Sequence, residues 1–389
     1  MRIYLDFNAT APVAPEVQDA VARAMRDDFG NPSSVHAFGQ RAKATLDEAR
    51  SHVAALIGGD PAEIVFTSGG TESDNLSIRG AFEAARTSGR RRLVTSGIEH
   101  EAVLNTVKAL TAHGAEVVTV PAGRDGIVDV DAMAAAVTPE TALVSVMLAN
   151  NEVGTIQPVQ RIADICHQHG AWLHTDAVQA AGKIPVSVRA LGVDLLAMSA
   201  HKFSGPKGIG ALWIRRGVRL MSQATGGRQE RNRRGGTENV PAIAGMGVAA
   251  RLAREALDRD ALSATARLRD RLERGILETI EGTAVNGAPD RRVPNTTNIS
   301  FDGIEAESLL IALDLEGIAV STGSACSSGT LEPSHVLRAM GLPQAFARNS
   351  LRFSLGSTTT DQEIDLVLTV MPALVTKLRR LGRTAAALR

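Results

Sequence analysis

Only six lysines occur in this sequence, at positions 43, 108, 183, 202, 207 and 377, and one of them stands where an amine could do chemistry. Lys202 follows an apolar run ending at Ser199 and opens the stretch Ser199-Ala200-His201-Lys202-Phe203-Ser204-Gly205-Pro206-Lys207-Gly208. An amine desolvated at a strand end can hold an aldehyde cofactor as a Schiff base, although a lone lysine at such a place is ordinarily a surface residue. Asp176 closes the apolar run Ala171-Trp172-Leu173-His174-Thr175-Asp176, with Gln179 three residues on. A carboxylate at the mouth of a buried strand needs a cation, and a protonated pyridine nitrogen would serve; the alternative is an aspartate that caps the next helix. In Ile64-Val65-Phe66-Thr67-Ser68-Gly69-Gly70-Thr71-Glu72-Ser73 an apolar strand runs through two glycines into a helix start. Amides at a helix N-terminus bind anions, and Thr71 adds a hydroxyl donor. No GxxxxGK[ST] occurs and no GxGxxG follows a strand, so neither a Walker-type loop nor a nicotinamide cofactor has support. His100 begins another helix, where its ring could lie over an aromatic cofactor or simply face solvent.

A nucleophile is offered by Cys326 in Ser321-Thr322-Gly323-Ser324-Ala325-Cys326-Ser327-Ser328-Gly329-Thr330. Small polar neighbours on both sides let such a thiol swing between a pocket and an acceptor. The other cysteine, Cys166 in Asp164-Ile165-Cys166-His167, reads as a buried small hydrophobe on a helix. Arg352 stands between the apolar Leu351 and Phe353, which weakens its reading as a solvated strand residue.

These residues need elements to bring them together. Candidate strands fall at 63–67, 93–95, 116–120, 143–148, 172–176, 195–199 and 210–214, with amphipathic helical stretches such as 102–113 and 159–169 between several of them. Strand, helix, strand in series predicts an α/β domain on a mostly parallel seven-stranded sheet, with ligands at the strands' carboxyl ends. A long charged helical region over 240–281 breaks at Gly282 and Asn286-Gly287. The strands expected after it, at 298–301, 318–321 and 351–355, with a helix near 305–315, indicate a smaller α+β domain. The expected division is 15–257 for the large domain, and 1–14 with 258–389 for the small one, which carries the Cys326 loop.

Taken together, Thr71, His100, Asp176 and Lys202 at strand ends of one sheet resemble the class V aminotransferase-type pyridoxal enzymes of fold type I, and specifically the NifS/IscS cysteine desulfurases. The stretches that carry the resemblance run along nearly the whole chain. They are Tyr4-Leu5-Asp6 with Asn8-Ala9-Thr10, Asn31-Pro32-Ser33-Ser34 with His36, Phe66-Thr67-Ser68-Gly69 with Thr71-Glu72-Ser73-Asp74-Asn75, and Glu99-His100. They continue through Asn150-Asn151-Glu152-Val153-Gly154, His174-Thr175-Asp176-Ala177 with Gln179, and His201-Lys202. Downstream lie Arg234-Gly235-Gly236-Thr237-Glu238-Asn239, Gly323-Ser324-Ala325-Cys326 and Leu351-Arg352-Phe353-Ser354. The resemblance implies pyridoxal 5′-phosphate on Lys202, with Asp176 at the pyridine nitrogen, Gln179 at the ring hydroxyl and His100 stacked on the ring as a proton carrier. It implies Asn151 near ring hydroxyl and substrate, and Gly70, Thr71, Ser199 and His201 on the phosphate, joined by Thr237 from a second subunit. Arg352 would clamp L-cysteine, whose sulfur would pass to Cys326 as a persulfide and leave L-alanine. The long Ser/Gly loop resembles group I of these enzymes. The sequence departs from the family at Phe7 and at Arg228 and Asn232, and it ends soon after its last helix, which bears on the identity of the sulfur acceptor; an iron–sulfur scaffold is the expected one.

The rest of the composition narrows the alternatives. Forty-two basic residues balance 42 acidic ones, and 44% of residues are hydrophobic. A neutral balance argues against a nucleic-acid partner, such as tRNA gripped by Arg228–Arg234, and against an anionic membrane. No apolar stretch approaches a membrane span, and Met-Arg-Ile-Tyr-Leu-Asp is no signal, so a cytoplasmic protein is expected; the resemblance, through Thr237, implies a homodimer. Two cysteines without a CxxC pair give neither a disulfide framework nor a metal site. Other readings are a selenocysteine lyase, another class V aminotransferase, or a sulfur-assembly scaffold without catalysis.

Overall fold

The computed structural model describes residues 2–323 and 333–387. Twelve strands are described: β1 (Ile3–Tyr4), β2 (Ile64–Thr67), β3 (Arg92–Ser96), β4 (Glu116–Val120), β5 (Thr141–Ser145), β6 (Trp172–Asp176), β7 (Leu195–Ser199), β8 (Gly210–Ile214), β9 (Thr283–Asn286), β10 (Thr296–Phe301), β11 (Ile318–Ala319) and β12 (Ser350–Ser354). Seven of them form one sheet in the order β2-β8-β7-β6-β5-β3-β4. It is parallel throughout except at β8, which runs antiparallel to both β2 and β7.

Alternation along these strands feeds two cores, one on each face of the sheet. Ile64, Phe66, Val94, Val144, Leu196, Met198 and Trp213 belong to one cluster. Their neighbours Val65, Leu93, Leu143, Leu195, Leu212 and Ile214 belong to another, on which the helix Gly70–Ala85 packs. Successive side chains on a strand point to opposite faces, so a sheet covered on both sides takes apolar residues at consecutive rather than alternate positions. The helices that matter for the site are α1 (Pro15–Asp27), α2 (Ala37–Leu56), α3 (Gly70–Ala85) and α4 (Glu101–Leu110). The helix Val240–Asp258 packs against α1 and α2. Gly210 begins β8 where Gly69 crosses it; a Cβ there would sit 2.6 Å from the Gly69 backbone. Only glycine allows that crossing.

A third core surrounds the antiparallel sheet β12-β10-β9. It joins Ile299, Phe301, Leu351 and Phe353 to Leu272, Ile276 and Val375 from helices, and it takes in Ile3 and Leu5 from the N-terminal arm. Two expectations are corrected. The region 240–281 is two helices, Val240–Asp258 and Leu262–Thr279, because Asp260 turns the chain with φ of 53° between them. The expected strand at 318–321 is cut to β11, which pairs in parallel with β1 and leaves the three-stranded sheet to β9, a strand inside the stretch read as a break.

Candidate active site

Five carboxyl ends of parallel strands converge on one cavity of about 370 Å³. After β2, α3 begins at Gly70 and brings Gly70 and Thr71 to the wall; after β3 comes His100; after β5, Asn151; β6 ends in Asp176; and β7 leads through Ser199 to His201 and Lys202. Gln179 lies just past β6, and Arg352 enters from β12 of the other sheet. Ten of the residues singled out from the sequence thus share one cavity. Thr237 is not among them: it lines a separate cleft with Thr67, Ser68 and Gly208. Cys326 lies outside the described residues, while Ser321 and Gly323 before it and His335 after it border the cavity.

Local bonding orients each group. Lys202 Nζ donates to the carbonyls of Asn8 at 2.6 Å and Ala9 at 2.9 Å. Burial, helped by the nearby Arg352 cation, lowers its pKa to about 8. Asp176 Oδ1 accepts the Val178 N–H at 2.8 Å, a local turn bond. The same carboxyl forms no ion pair among the described residues, and burial raises its pKa against the pull of His100 and Lys202. His100 caps α4 by accepting the Ala102 N–H on Nδ1 at 3.1 Å, which leaves the neutral ring's proton on Nε2. Capping and lining the cavity are therefore both properties of His100. His201 Nδ1 meets Thr10 Oγ1 at 3.2 Å, and burial together with Lys202, Lys207 and Lys183 drops its pKa to about 4. Arg352 donates from Nη1 to the Asn151 carbonyl at 2.8 Å and from Nη2 to Asp6 Oδ1 at 2.7 Å.

Several functional neighbours were given no role from the sequence. Asp74, on α3, lines the cavity fully buried, with its pKa raised by burial and by the carboxylates of Asp176 and Glu99. Glu99, held by Ser96 and the Met147 N–H, is pushed up to about 8 by burial. Glu152, also raised by burial, receives the Ser334 hydroxyl and lies against Gly323, so it touches both flanks of the segment that holds Cys326. Asn8 is the busiest: its carbonyl accepts from Lys202 and Gln179, its Oδ1 from Lys183 and Asn295, and its Nδ2 donates to Thr296 Oγ1. Its only sequence signal was its place in Asn8-Ala9-Thr10.

The chain matches the family described as Aminotransferase class-V over residues 3–367. It is 49% identical to a cysteine desulfurase of Trichormus azollae over 380 residues, covering 98% of this chain and 94% of that protein. It is 46% identical to the cysteine desulfurase IscS of Dictyoglomus turgidum, with 98% and 96% covered. A solved NifS-like protein superposes with a TM-score of 0.91 at 38% identity, over 97% of this chain and all of that one. The chain belongs to the class-V aminotransferase family, among the cysteine desulfurases.

Cysteine desulfurases use pyridoxal 5′-phosphate, and this cavity fits it. The buried Oδ1 of Asn151 has no hydrogen-bond partner at the cavity wall, so the wall has an acceptor to spare. Asp176 supplies an unpaired buried carboxyl for a pyridine N–H, and Lys202 a depressed amine for an aldehyde. The start of the 16-residue α3 supplies the anion site for a phosphate. At Gly70 an added Cβ would run into Val178 at 2.7 Å, so the chain comes as close there as glycine permits. Among the described residues no helix is long and apolar enough to cross a membrane.

Proposed function

We propose that this cysteine desulfurase converts L-cysteine to L-alanine and takes the sulfur onto Cys326 as a persulfide. The observation that carries the reading is the single cavity onto which Lys202, Asp176, His100, Gln179 and Arg352 converge. When bound there, pyridoxal phosphate supplies an electron sink for the bonds at the substrate's α-carbon. Lys202 would hold the cofactor, and its lowered pKa keeps a neutral amine accessible near neutral pH. Asp176 would keep a proton on the pyridine nitrogen, because a buried carboxylate gains most from a cation partner. Gly70, Thr71, Ser199 and His201 would hold the phosphate, and Asn151 would stand between cofactor and substrate. Arg352, already fixed by Asp6 and Asn151, would present its remaining N–H groups to the substrate carboxylate. His100 Nε2 would carry protons beside the reacting carbons.

In the transfer, the Cys326 thiolate attacks the substrate sulfur, an S–S bond forms and the carbon–sulfur bond breaks. The bond's electron pair stays with the β-carbon, which gains a proton, so cysteine and one thiol become alanine and one persulfide. A homodimer completes the site by lending Thr237 from the second subunit, and residues 15–257 act as the cofactor domain against 1–14 with 258–389. An iron–sulfur scaffold protein in the cytoplasm is the proposed acceptor.

The test is Cys326→Ala. The variant is expected to stay yellow and to bind L-cysteine, while persulfide on the loop peptide and sulfide release under reductant disappear; Cys166→Ala, at a buried site, keeps both. Sulfide release that survives in Cys326→Ala would overturn the reading in favour of a lyase that needs no protein thiol.

A further inference from the structure

Lys183 is a buried amine with neutral hydrogen-bond partners. Its Nζ donates to Gln179 Oε1 at 2.6 Å and to Asn8 Oδ1 at 2.7 Å, and the side chain is almost wholly shielded from solvent. Among the described residues it forms no ion pair. Burial with only amide oxygens as partners disfavours the charged form of the amine but leaves its N–H groups hydrogen-bonded.

The bonds decide which way one amide points. Lys183 Nζ donates on one side and the Asn8 carbonyl on the other can only accept, so the group of Gln179 facing Lys183 must be the carbonyl oxygen. The Gln179 NH2 therefore lies on the other side, where Nε2 donates to the Asn8 carbonyl at 3.0 Å. That carbonyl also receives Lys202 Nζ, and Gln179 borders the cavity. One Nε2 hydrogen remains, so Gln179 can donate to an oxygen in the cavity and has no acceptor to offer it.

We infer that Lys183 is a positioning residue: by holding Gln179 Oε1 it fixes the amide so that an N–H faces the cofactor's ring oxygen, favouring that oxygen as an anion. The inference rests on the cofactor reading above. Other titratable groups bearing on Lys183 and the cavity are Lys202 and Arg352, the carboxyls of Asp6, Asp74, Glu101, Glu152 and Asp176, and the imidazoles of His100, His201 and His335. Burial and the two cations also lower the Lys183 pKa. Its role as a donor to Gln179 does not depend on charge, since a neutral amine still donates.

The experiment is a pH titration of the visible absorption of bound pyridoxal phosphate in the holoenzyme. Lys183→Met frees Gln179 to turn its oxygen inward, and loss of a donor to an anion is expected to raise the absorption midpoint by about one pH unit. Because removing a nearby positive charge would act in the same direction, the substitution is repeated in Gln179→Ala. With no amide to orient, Lys183→Met is expected to move the midpoint by less than a third as much. An equal shift in both backgrounds, or none in either, overturns the inference. A merely structural role lowers the thermal midpoint of the apoprotein without moving the absorption midpoint, and that result also overturns it. Should Lys183→Met fail to fold, Lys183→Gln takes its place; its amide can still donate to Gln179, so a midpoint within about 0.3 units of wild type is expected, and a full shift overturns the inference. A colourless wild-type protein would instead sink the cofactor reading itself.

Discussion

Asp176 and Lys202 line one cavity, and burial displaces both toward neutrality: the carboxyl upward, the amine down to about 8. A cationic ring nitrogen relieves the first. Asp176→Asn keeps the turn bond to Val178 but loses the charge, so pyridoxal phosphate is expected to bind about 10- to 100-fold more weakly to the apoprotein, as for one hydrogen bond to an ion. Absorbance titration reads this, and unchanged affinity would favour a purely capping aspartate. Lys202 predicts a pH dependence of apoprotein stability. The unfolded chain holds the Lys202 proton up to about pH 10.4, whereas the folded chain loses it above about 8. Between those values the unfolded state binds more protons, so stability rises with pH. Relative to Lys202→Met, the wild type should gain on the order of 1 kcal/mol per pH unit in that window. Denaturation at pH 7.5, 9 and 10 measures it, and parallel curves would show that the amine titrates normally when folded.

The least predictable element is the turn Gln229–Asn232, in which Glu230, Arg231 and Asn232 all have positive φ, of 44°, 59° and 65°. Consecutive non-glycine residues in the left-handed region are unfavourable and persist only where packing imposes them. Here the imposing contact is a buried pair: Arg50 on α2 donates to both Glu230 oxygens, at 2.7 and 2.8 Å, and Glu230 also accepts the Phe66 N–H at 3.0 Å. The Arg50 guanidinium lies over the Phe66 ring at 4.7 Å. Removing one partner leaves an uncompensated buried charge, so Glu230→Ala is expected to cost about 3 kcal/mol. The double variant with Arg50→Ala should cost clearly less than the two single changes summed. Chemical denaturation of the four proteins tests this; additive costs would mean that the pair does not anchor the turn. The same loop runs on to Thr237, so its anchoring bears on how that residue is presented.

At the scale of the molecule, Thr237 lines a cleft separate from the cavity, and the proposed dimer would bring it to the cavity of a second subunit. Mixing Thr237→Ala chains with Lys202→Ala chains separates the possibilities. If the site is shared, each mixed dimer has one site with both residues and one with neither, and activity approaching half that of wild type per dimer is expected after subunit exchange. Steady-state sulfide release checks it. Activity no higher than that of the two variants assayed separately, once exchange is demonstrated by mass spectrometry, would place Thr237 outside the shared site.

Local chemistry made much of this protein legible in its sequence. The runs at 172–176 and 195–199 read as candidate strands, and Asp176 and Lys202 stood at or just past their carboxyl ends, where ligands of such sheets collect. Glycine at 69 and 70 announced a strand turning into a helix start. Tertiary structure decided what depends on distant partners. The reversal of β8, the pairing of β1 with β11 and the strand β9 are choices among edges, which a single strand's side chains do not encode. The Arg50–Glu230 pair spans 180 residues. Asn8 and Lys183, 175 residues apart, acquire their meaning only when the N-terminal arm is laid across the floor of the cavity. A lysine between glycine and isoleucine reads as surface until two side-chain amides close over it, because burial is a property of the packed chain and not of the residue.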